Sequence, residues 1–214
     1  MRVVTGSLHS HLVAIVPVIV ISLLLSSCVA LVRPNFETEV IKLREGQYTL
    51  DPRHSFVLFK VGHLGLSTYV GRFNEFQAVL EFDPDNLPAT TLQGVVEMAS
   101  VDTGDAEVDS LLSEPDWLDS ARFPQAEFIA TEVQDIGASQ IAITGALTLR
   151  GVTREIKLTG TFNGGADNLL TRRYTLGFTA TGQFSRSEFG IDGFSGLVGD
   201  EVAIEVFAEF LRAQ

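Results

Sequence analysis

Apolar and polar residues alternate with a period of two from Gln47 almost to the end of the chain, and this pattern constrains the fold more than any other feature of the sequence. Successive side chains of a β-strand point to opposite faces, so this period indicates strands with one buried face. In residues 74–82, Phe76 and Phe82 belong to the apolar face, whereas Glu75 and Glu81 belong to the polar face. About eight or nine such segments follow one another, which predicts an all-β domain.

Turn signals such as Asp83-Pro84-Asp85-Asn86 and Asn163-Gly164-Gly165 separate these segments. Short connections favour antiparallel neighbours, and a large antiparallel sheet curls until its edges meet. The sequence therefore predicts an antiparallel barrel or a strongly bent sandwich. Residues 55–61 are apolar on both faces, so we expect this strand to be covered on both sides. Only the stretch from Asp105 to Ser120 has helical spacing, which predicts a short helix beside the barrel mouth.

The N-terminal region has the features of an export signal. Residues 12–25 form an uncharged apolar run that is too short to cross a bilayer comfortably and typical of a signal-peptide core. The run ends in Leu25-Ser26-Ser27-Cys28, which resembles the lipobox of bacterial lipoproteins, where the cysteine receives a diacylglycerol and becomes the new N-terminus. We predict a lipoprotein signal peptide over residues 1–27, lipidated Cys28 with a tether over residues 28–46, and a barrel domain over residues 47–214. A plain signal peptide and an uncleaved anchor helix are the alternatives.

These signals predict a protein of the bacterial cell envelope that is held to a membrane by its N-terminal lipid anchor and faces the periplasm. Val29 stands where an Asp commonly retains Gram-negative lipoproteins at the inner membrane, so the outer membrane is favoured. Attachment through two or more acyl chains is stable. A homodimer, through sheet edges or mouth to mouth, is left open.

Composition and motifs exclude several classes of function. The formal net charge of -12 argues against nucleic acid as a partner, because binding it requires a basic face. The single cysteine allows neither an intramolecular disulfide nor a CxxC redox site. The sequence contains no GxSxG elbow, no P-loop and no GxGxxG after a strand. We therefore expect a protein that is not an enzyme and that carries no cofactor and no metal.

The fifteen Phe residues suit a dry interior, because Phe brings apolar area without a polar tip. A barrel of about eight strands is either filled by its own side chains or holds one small ligand. Small inward residues such as Ala78, Gly94 and Ala180 alternate with large ones such as Phe128 and Phe178. This alternation leaves an apolar cavity, or it simply fits the taper of the barrel. From the alternation alone, both interpretations stay open.

A resemblance to a known family narrows the choice. Short motifs stand in order over residues 47–210: Tyr48-Thr49-Leu50-Asp51, His54-Ser55-Phe56, Phe59-Lys60-Val61-Gly62-His63-Leu64-Gly65, Val70-Gly71-Arg72-Phe73, Asp116-Trp117-Leu118-Asp119, Phe123-Pro124-Gln125-Ala126-Glu127-Phe128, Gly145-Ala146-Leu147-Thr148-Leu149-Arg150-Gly151-Val152-Thr153 and Arg186-Ser187-Glu188-Phe189-Gly190-Ile191. Together they resemble the YceI family of bacterial envelope proteins, which is named for lipid or polyisoprenoid binding.

The resemblance implies an extended lipocalin-like antiparallel barrel with an internal apolar tunnel. The family holds long-chain amphiphiles, so the expected ligand is a polyisoprenoid, a quinone or a fatty-acid derivative, bound for storage, transport or sensing. The alternative is an interaction module whose packed barrel docks an envelope or respiratory partner. The residues expected to contact lipid are Phe59, His63, Phe76, Phe82, Trp117, Phe128, Leu147 and Phe178.

The remaining polar candidates have simpler interpretations. His54 follows Asp51-Pro52-Arg53 and is interpreted as a turn residue that bonds to backbone, whereas His63 is expected to reach the barrel mouth and a ligand head group. Trp117 is expected to cover one barrel end. The glycine-rich residues 190–199 predict a mobile loop. For four arginines near strand ends a salt bridge to a carboxylate is favoured, and pairing of one of them with the phosphate head group of a polyprenyl phosphate is the alternative: Arg72, Arg150, Arg154 and Arg186.

Overall fold

The strands expected from the alternation close into one antiparallel barrel in the computed structural model, which describes residues 36–214. These residues form a single compact unit. The predicted signal peptide and Cys28 lie outside the described residues. The strands are β1 (Gly46–Leu50), β2 (Phe56–His63), β3 (Ser67–Phe73), β4 (Phe76–Phe82), β5 (Thr91–Glu97), β6 (Val101–Asp102), β7 (Gln125–Gly137), β8 (Gln140–Leu149), β9 (Val152–Asn168), β10 (Arg173–Ser185) and β11 (Val198–Arg212).

The barrel has eight strand positions around its wall, because three positions are each shared by two short strands that lie end to end. The first position is shared by β1 and β2, since β11 pairs with β2 over its first part and with β1 over its last part. In the same way, β3 and β4 share the next position, and β5 and β6 share the one after it. The break between β1 and β2 is the turn that begins at Asp51 and Pro52, since proline has no N–H for a ladder. The predicted antiparallel barrel of about eight strands is confirmed.

The alternation places side chains as expected on most strands. In β4, Phe76, Leu80 and Phe82 are buried, whereas Gln77 and Glu81 are exposed. The prediction that residues 55–61 are covered on both sides is wrong, because Phe56 at the start of β2 is exposed. A single-layered barrel covers only its inner face, so an outward side chain has no second layer to pack against.

The predicted short helix is also present. Helix α1 spans Ala106–Leu112, and the carboxylate of Asp105 caps it by accepting a hydrogen bond from the Glu107 N–H at 3.0 Å. Three one-turn 3₁₀ helices lie in connections (Leu87–Ala89, Met98–Ser100 and Arg186–Phe189), and a fourth, Val40–Lys42, precedes β1. No helix within residues 36–214 has the length and apolarity needed to cross a membrane.

The two ends of the barrel differ. At the plug end, residues 36–45 pack beside the start of β1, the loop between β4 and β5 and the turn between β9 and β10. The loop end comprises α1, the β2–β3 hairpin and residues 190–199. Core clusters lie at each end and along the wall formed by β7, β8 and β9. The interior between the ends is therefore enclosed by apolar clusters on several sides.

Candidate functional site

One continuous cavity of about 320 Å³ runs through the barrel interior. Its lining extends from Leu43 and Leu87 at the plug end to Ile191 and Val198 at the loop end. This volume lies within the usual range of small-molecule sites. Seven of the eight side chains expected to contact lipid line it: Phe59, Phe76, Phe82, Trp117, Phe128, Leu147 and Phe178. Contact between these side chains and a lipid stays a prediction.

The walls of the cavity are almost wholly apolar. Only four lining residues have polar side chains, Gln77, Thr90, Glu127 and Arg186, and almost no polar atom faces the space. A buried polar group of a ligand would therefore find no partner here, and such a loss is costly. The interior suits a hydrocarbon chain, and a polar head group would have to stay at or beyond an end.

The small inward residues serve two purposes. The ring of Phe128 lies against Gly145 so closely that an added Cβ would overlap it, and Phe59 covers Gly71 in the same way. At Gly94, by contrast, an added Cβ would have its nearest neighbour, the backbone oxygen of Gln77, at 3.7 Å. Some glycines thus accommodate a neighbouring ring, whereas Gly94 leaves open space that belongs to the cavity.

Residues 36–45 close the plug end. Leu43 is buried in the core cluster, and the Arg44 guanidinium forms two 2.7 Å hydrogen bonds to the Asp167 carboxylate while lying 4.3 Å from the Tyr174 ring centre. The Tyr48 hydroxyl donates to the Arg44 carbonyl at 2.5 Å, and burial raises the pKa of this tyrosine to about 12. The described part of the predicted tether therefore packs on the barrel, and Leu43 and Arg44 were not anticipated as its plug. The apolar run Val40-Ile41 followed by Leu43 was the available signal.

The loop end is closed by Trp117 and the glycine-rich loop. The Trp117 ring packs directly on the backbone of Gly193, where an added Cβ would overlap the ring. The Phe194 ring meets the Trp117 ring edge-on, with 5.7 Å between the ring centres. The predicted mobility of residues 190–199 is at odds with these contacts. The buried Arg186 side chain also ties the loop down, since its nitrogens donate to the carbonyls of Ile191, Val198 and Gly199 at 2.7, 3.1 and 2.8 Å.

The two histidines among residues 36–214 lie outside the cavity. His63 at the end of β2 is exposed, with its ring centre 6.4 Å from that of Tyr69, and it is not among the lining residues. Its predicted contact with a head group stays a prediction. His54 does lie in a turn, where its N–H donates to the Asp51 carbonyl at 3.2 Å. Its ring bonds to the Asp51 carboxylate at 2.9 Å, although a backbone partner was expected.

Asp51, His54 and Glu209 bring possible ligand atoms within 4.8 Å of one another. The Asp51 carboxylate already accepts the Arg53 N–H at 3.0 Å and the His54 ring. Burial acts to raise the pKa of Asp51, but these hydrogen bonds outweigh it and the pKa is lowered. The cluster is therefore explained by the turn that joins β1 to β2.

The arginines near strand ends bond mostly to carbonyl oxygens. Arg72 pairs with Asp102 at 2.7 Å, as expected. Arg150 donates to the carbonyls of Gly190 and Pro115, and Arg186 donates to the three carbonyls described above. Arg154 donates to the Thr153 carbonyl at 3.0 Å. The expectation of carboxylate partners is thus wrong for Arg154, and also for Arg150 and Arg186. Both connect segments at the loop end, where a backbone without regular ladders leaves acceptors to be satisfied.

Comparison with known proteins agrees with this architecture. A family model described as a YceI-like domain matches residues 48–210. The chain belongs to the YceI-like family. A UPF0312 protein of Pseudomonas savastanoi pv. phaseolicola is 38% identical over 149 residues, which are 68% of this chain and 77% of the relative.

Two solved structures have the same fold as this YceI-like chain. BcnA of Burkholderia cenocepacia has a TM-score of 0.68 at 24% identity, over 75% of this chain and 98% of BcnA. A domain of Saccharophagus degradans, described as polyisoprenoid-binding and implicated in plant cell wall breakdown, has a TM-score of 0.55 at 12% identity. That likeness covers 79% of this chain and all of the domain. Identities this low show the fold alone.

Proposed function

We propose that this YceI-like protein is a non-enzymatic carrier that holds the apolar chain of a long-chain lipid inside its barrel. The observation that carries the proposal is the continuous cavity of about 320 Å³ with apolar walls. A polyisoprenoid, a quinone or a fatty-acid derivative would each supply such a chain. The polyisoprenoid-binding description of a domain with the same fold supports the first of these.

The size of the cavity sets the scale of binding. At about 30 Å³ for each water-sized group, 320 Å³ accommodates roughly ten methylene-sized groups. Removal of each CH₂ from water contributes about 0.8 kcal/mol before the entropic cost of association is subtracted. Ten such groups contribute about 8 kcal/mol before that cost, so a Kd of about 1 μM is the upper limit of the affinity that the buried chain alone can give. A longer chain projects from one end with its head group.

We further propose that the carrier works at the bacterial cell envelope, anchored through acyl chains on Cys28, facing the periplasm and attached to the outer membrane. The sequence of residues 12–28 supports this. The intact mass of the mature protein from a membrane fraction tests it. A chain that begins at Cys28 and carries acyl mass is expected, and a Cys28→Ser variant is expected to lose that mass. A mature chain without acyl mass would contradict the anchor while leaving lipid binding open.

The binding proposal is tested by native mass spectrometry on residues 29–214, which include the whole compact unit, produced in a bacterial periplasm and purified gently. A stoichiometric adduct that extracts as a long-chain lipid is expected. A clean unliganded mass, together with no uptake of added polyprenyl phosphate, quinone or fatty amide, would favour an interaction module. The open space over Gly94 counts against a packed barrel. A homodimer remains a proposal that the same mass spectra test.

A further inference from the structure

Two neighbouring segments at the loop end are free of formal charge. They are residues 61–71, which contain the tip of the β2–β3 hairpin, and residues 193–199 of the glycine-rich loop. In a chain in which 20% of residues are charged, eighteen residues would carry about three or four charges. Lys60, Arg72, Asp192 and Asp200 border the two segments immediately. We call the four exposed apolar residues at the tips of these segments, Leu64, Leu66, Phe194 and Leu197, the apolar rim; Val70 is also exposed but lies within β3, away from the tip.

The apolar rim is one surface. The Leu64 N–H donates to the Leu197 carbonyl at 2.8 Å, and Val198 pairs with His63 across the strands. Leu64 is 49% exposed and Leu66 86%, while Phe194 and Leu197 are 57% and 55% exposed. Four large apolar side chains therefore stand in solvent together, on two loop tips that are joined by backbone hydrogen bonds.

Folding of the barrel does not explain these residues. Leu64 has φ 54° and Phe194 has φ 50°, in the left-handed region that a bulky residue adopts only with strain. A hairpin tip in this conformation usually carries Asn, Asp or Gly. Leu64 is strained and half exposed, and Phe194 is strained and more than half exposed although its ring meets Trp117. Contacts within the folded chain therefore leave most of both side chains unexplained, which points to a role outside it.

The apolar rim is continuous with the cavity. Phe194 contacts Trp117, and Leu197 precedes Val198; Trp117 and Val198 both line the interior. An apolar chain that passes between the outside and the cavity at this end would therefore meet apolar side chains throughout. The plug end differs, because Leu169 and Leu170 are exposed there beside Asp167 and Arg172.

We propose that the apolar rim inserts into the surface of a lipid bilayer and brings the loop end of the cavity against the membrane that donates or receives the lipid. The proposal rests on the carrier function proposed above, since it deepens that function by naming the membrane as the partner of the cavity end. Short uncharged tips with Leu and Phe suit the interface between head groups and acyl chains. A protein partner fits less well, because a stable interface uses about 20–30 residues a side.

Attraction to anionic lipid does not explain such docking, because the chain has a net charge of -12. Binding is therefore expected on vesicles of zwitterionic phosphatidylcholine and is expected to be insensitive to salt, since apolar insertion is not screened. Flotation of residues 29–214 with these vesicles measures it. This fragment omits Cys28, so no acyl anchor contributes to the result.

The rim variant is Leu64→Asn with Leu66→Ser. Asn tolerates the left-handed conformation at position 64, so this variant is expected to fold at least as well as the parent. Its vesicle partition coefficient is expected to fall roughly tenfold or more. The matched control, Leu169→Ser with Leu170→Ser, removes two leucines that are 65% and 89% exposed at the plug end, and it is expected to bind vesicles like the parent.

Binding of N-phenyl-1-naphthylamine, an uncharged apolar fluorophore, is measured in solution without vesicles for all three proteins. Equal fluorophore binding with loss of flotation only in the rim variant is the expected result. Absence of flotation in the parent, or equal loss of flotation in both variants, would overturn the rim proposal. The carrier function would then be judged separately, by whether the parent binds the fluorophore in solution. A parent dimer by light scattering that the rim variant abolishes, without vesicle binding, would also overturn it, because the rim would then join two copies of this chain.

Discussion

Gly94 offers the most direct test of whether the cavity holds an apolar chain. The residue lies in β5 between Ala78 of β4 and Phe128 of β7, and it lines the cavity. A Cβ added there would be no closer than 3.7 Å to any other residue beyond its chain neighbours. Gly94→Leu therefore adds four carbon atoms on the cavity side, the first of them at ordinary contact distance from its neighbours. Replacing glycine inside a strand also removes an entropic cost, so the variant is expected to be at least as stable as the parent.

The expected loss of affinity follows from the carbon atoms displaced. If each leucine carbon takes the place of one ligand CH₂, the ligand loses about four times 0.8 kcal/mol, or roughly 3 kcal/mol. At 1.4 kcal/mol for each factor of ten, binding weakens about 200-fold. The same reasoning sets the chain-length dependence in the parent, in which affinity rises at most about fourfold for each added carbon.

The assay is calorimetric titration with straight-chain alcohols from hexan-1-ol to dodecan-1-ol. In the parent, affinity is expected to rise with chain length and to level off near ten carbons, where the cavity of about 320 Å³ is full. In Gly94→Leu it is expected to level off about four carbons earlier. Urea unfolding of each protein separates loss of binding from loss of structure.

Gly177→Leu is the matched control. Gly177 lies in β10 between the inward Leu176 and Phe178, does not line the cavity, and faces Asn163 with a nearest approach of 3.6 Å for an added Cβ. The Gly177→Leu variant carries the same substitution on the outer face of the barrel, and it is expected to bind every alcohol with the same affinity as the parent. An unchanged plateau in Gly94→Leu, or an equal loss in Gly177→Leu, would refute the assignment of the cavity as the binding space.

Three further predictions concern the parts that hold the cavity in shape. Leu43→Ala is expected to lower the free energy of unfolding in urea by about 2–5 kcal/mol, because it leaves a void in the plug-end core; a change below 1 kcal/mol would mean that residues 36–45 do not plug the barrel. The hydrogen bond from Arg72, and next the one from Asn74, lower the pKa of Asp102 from 3.8 to about 2. The ionised carboxylate therefore stabilises the fold above pH 3.8, and this contribution is lost as the pH falls through about 2. The stability difference between the parent and Asp102→Asn, followed by urea midpoints from pH 6 to pH 2, should therefore shrink in the acid range, and a constant difference would contradict this. Arg186→Met leaves three carbonyl oxygens without their donor and is expected to destabilise the fold by roughly 3 kcal/mol or more and to increase amide exchange in residues 191–199, whereas normal protection of these amides would exclude the pinning role.

The barrel and its inward face could be predicted from the sequence because both follow from local alternation. A strand such as β4 presents Phe76, Leu80 and Phe82 on one side wherever its neighbours lie, so the burial of these residues does not depend on the register. The family resemblance extended this to a tunnel. The plug at Leu43 was less accessible, because residues 36–45 form no regular pattern and their position depends on contacts such as that of Arg44 with Asp167, 123 residues away in the chain.

The open space itself depends on register and on one side-chain orientation, and local alternation contains neither. Gly94 and Gly145 look equivalent in the sequence, since each is a glycine on the apolar face of a strand. Phe128 lies opposite Gly94 on one side and beside the pair of Ala130 with Gly145 on the other. Its ring turns onto Gly145, and the space over Gly94 stays empty. Whether the small residues of such a barrel fit its taper or line a cavity therefore depends on the orientation of each neighbouring ring, and both outcomes occur on the two strands, β5 and β8, that flank β7.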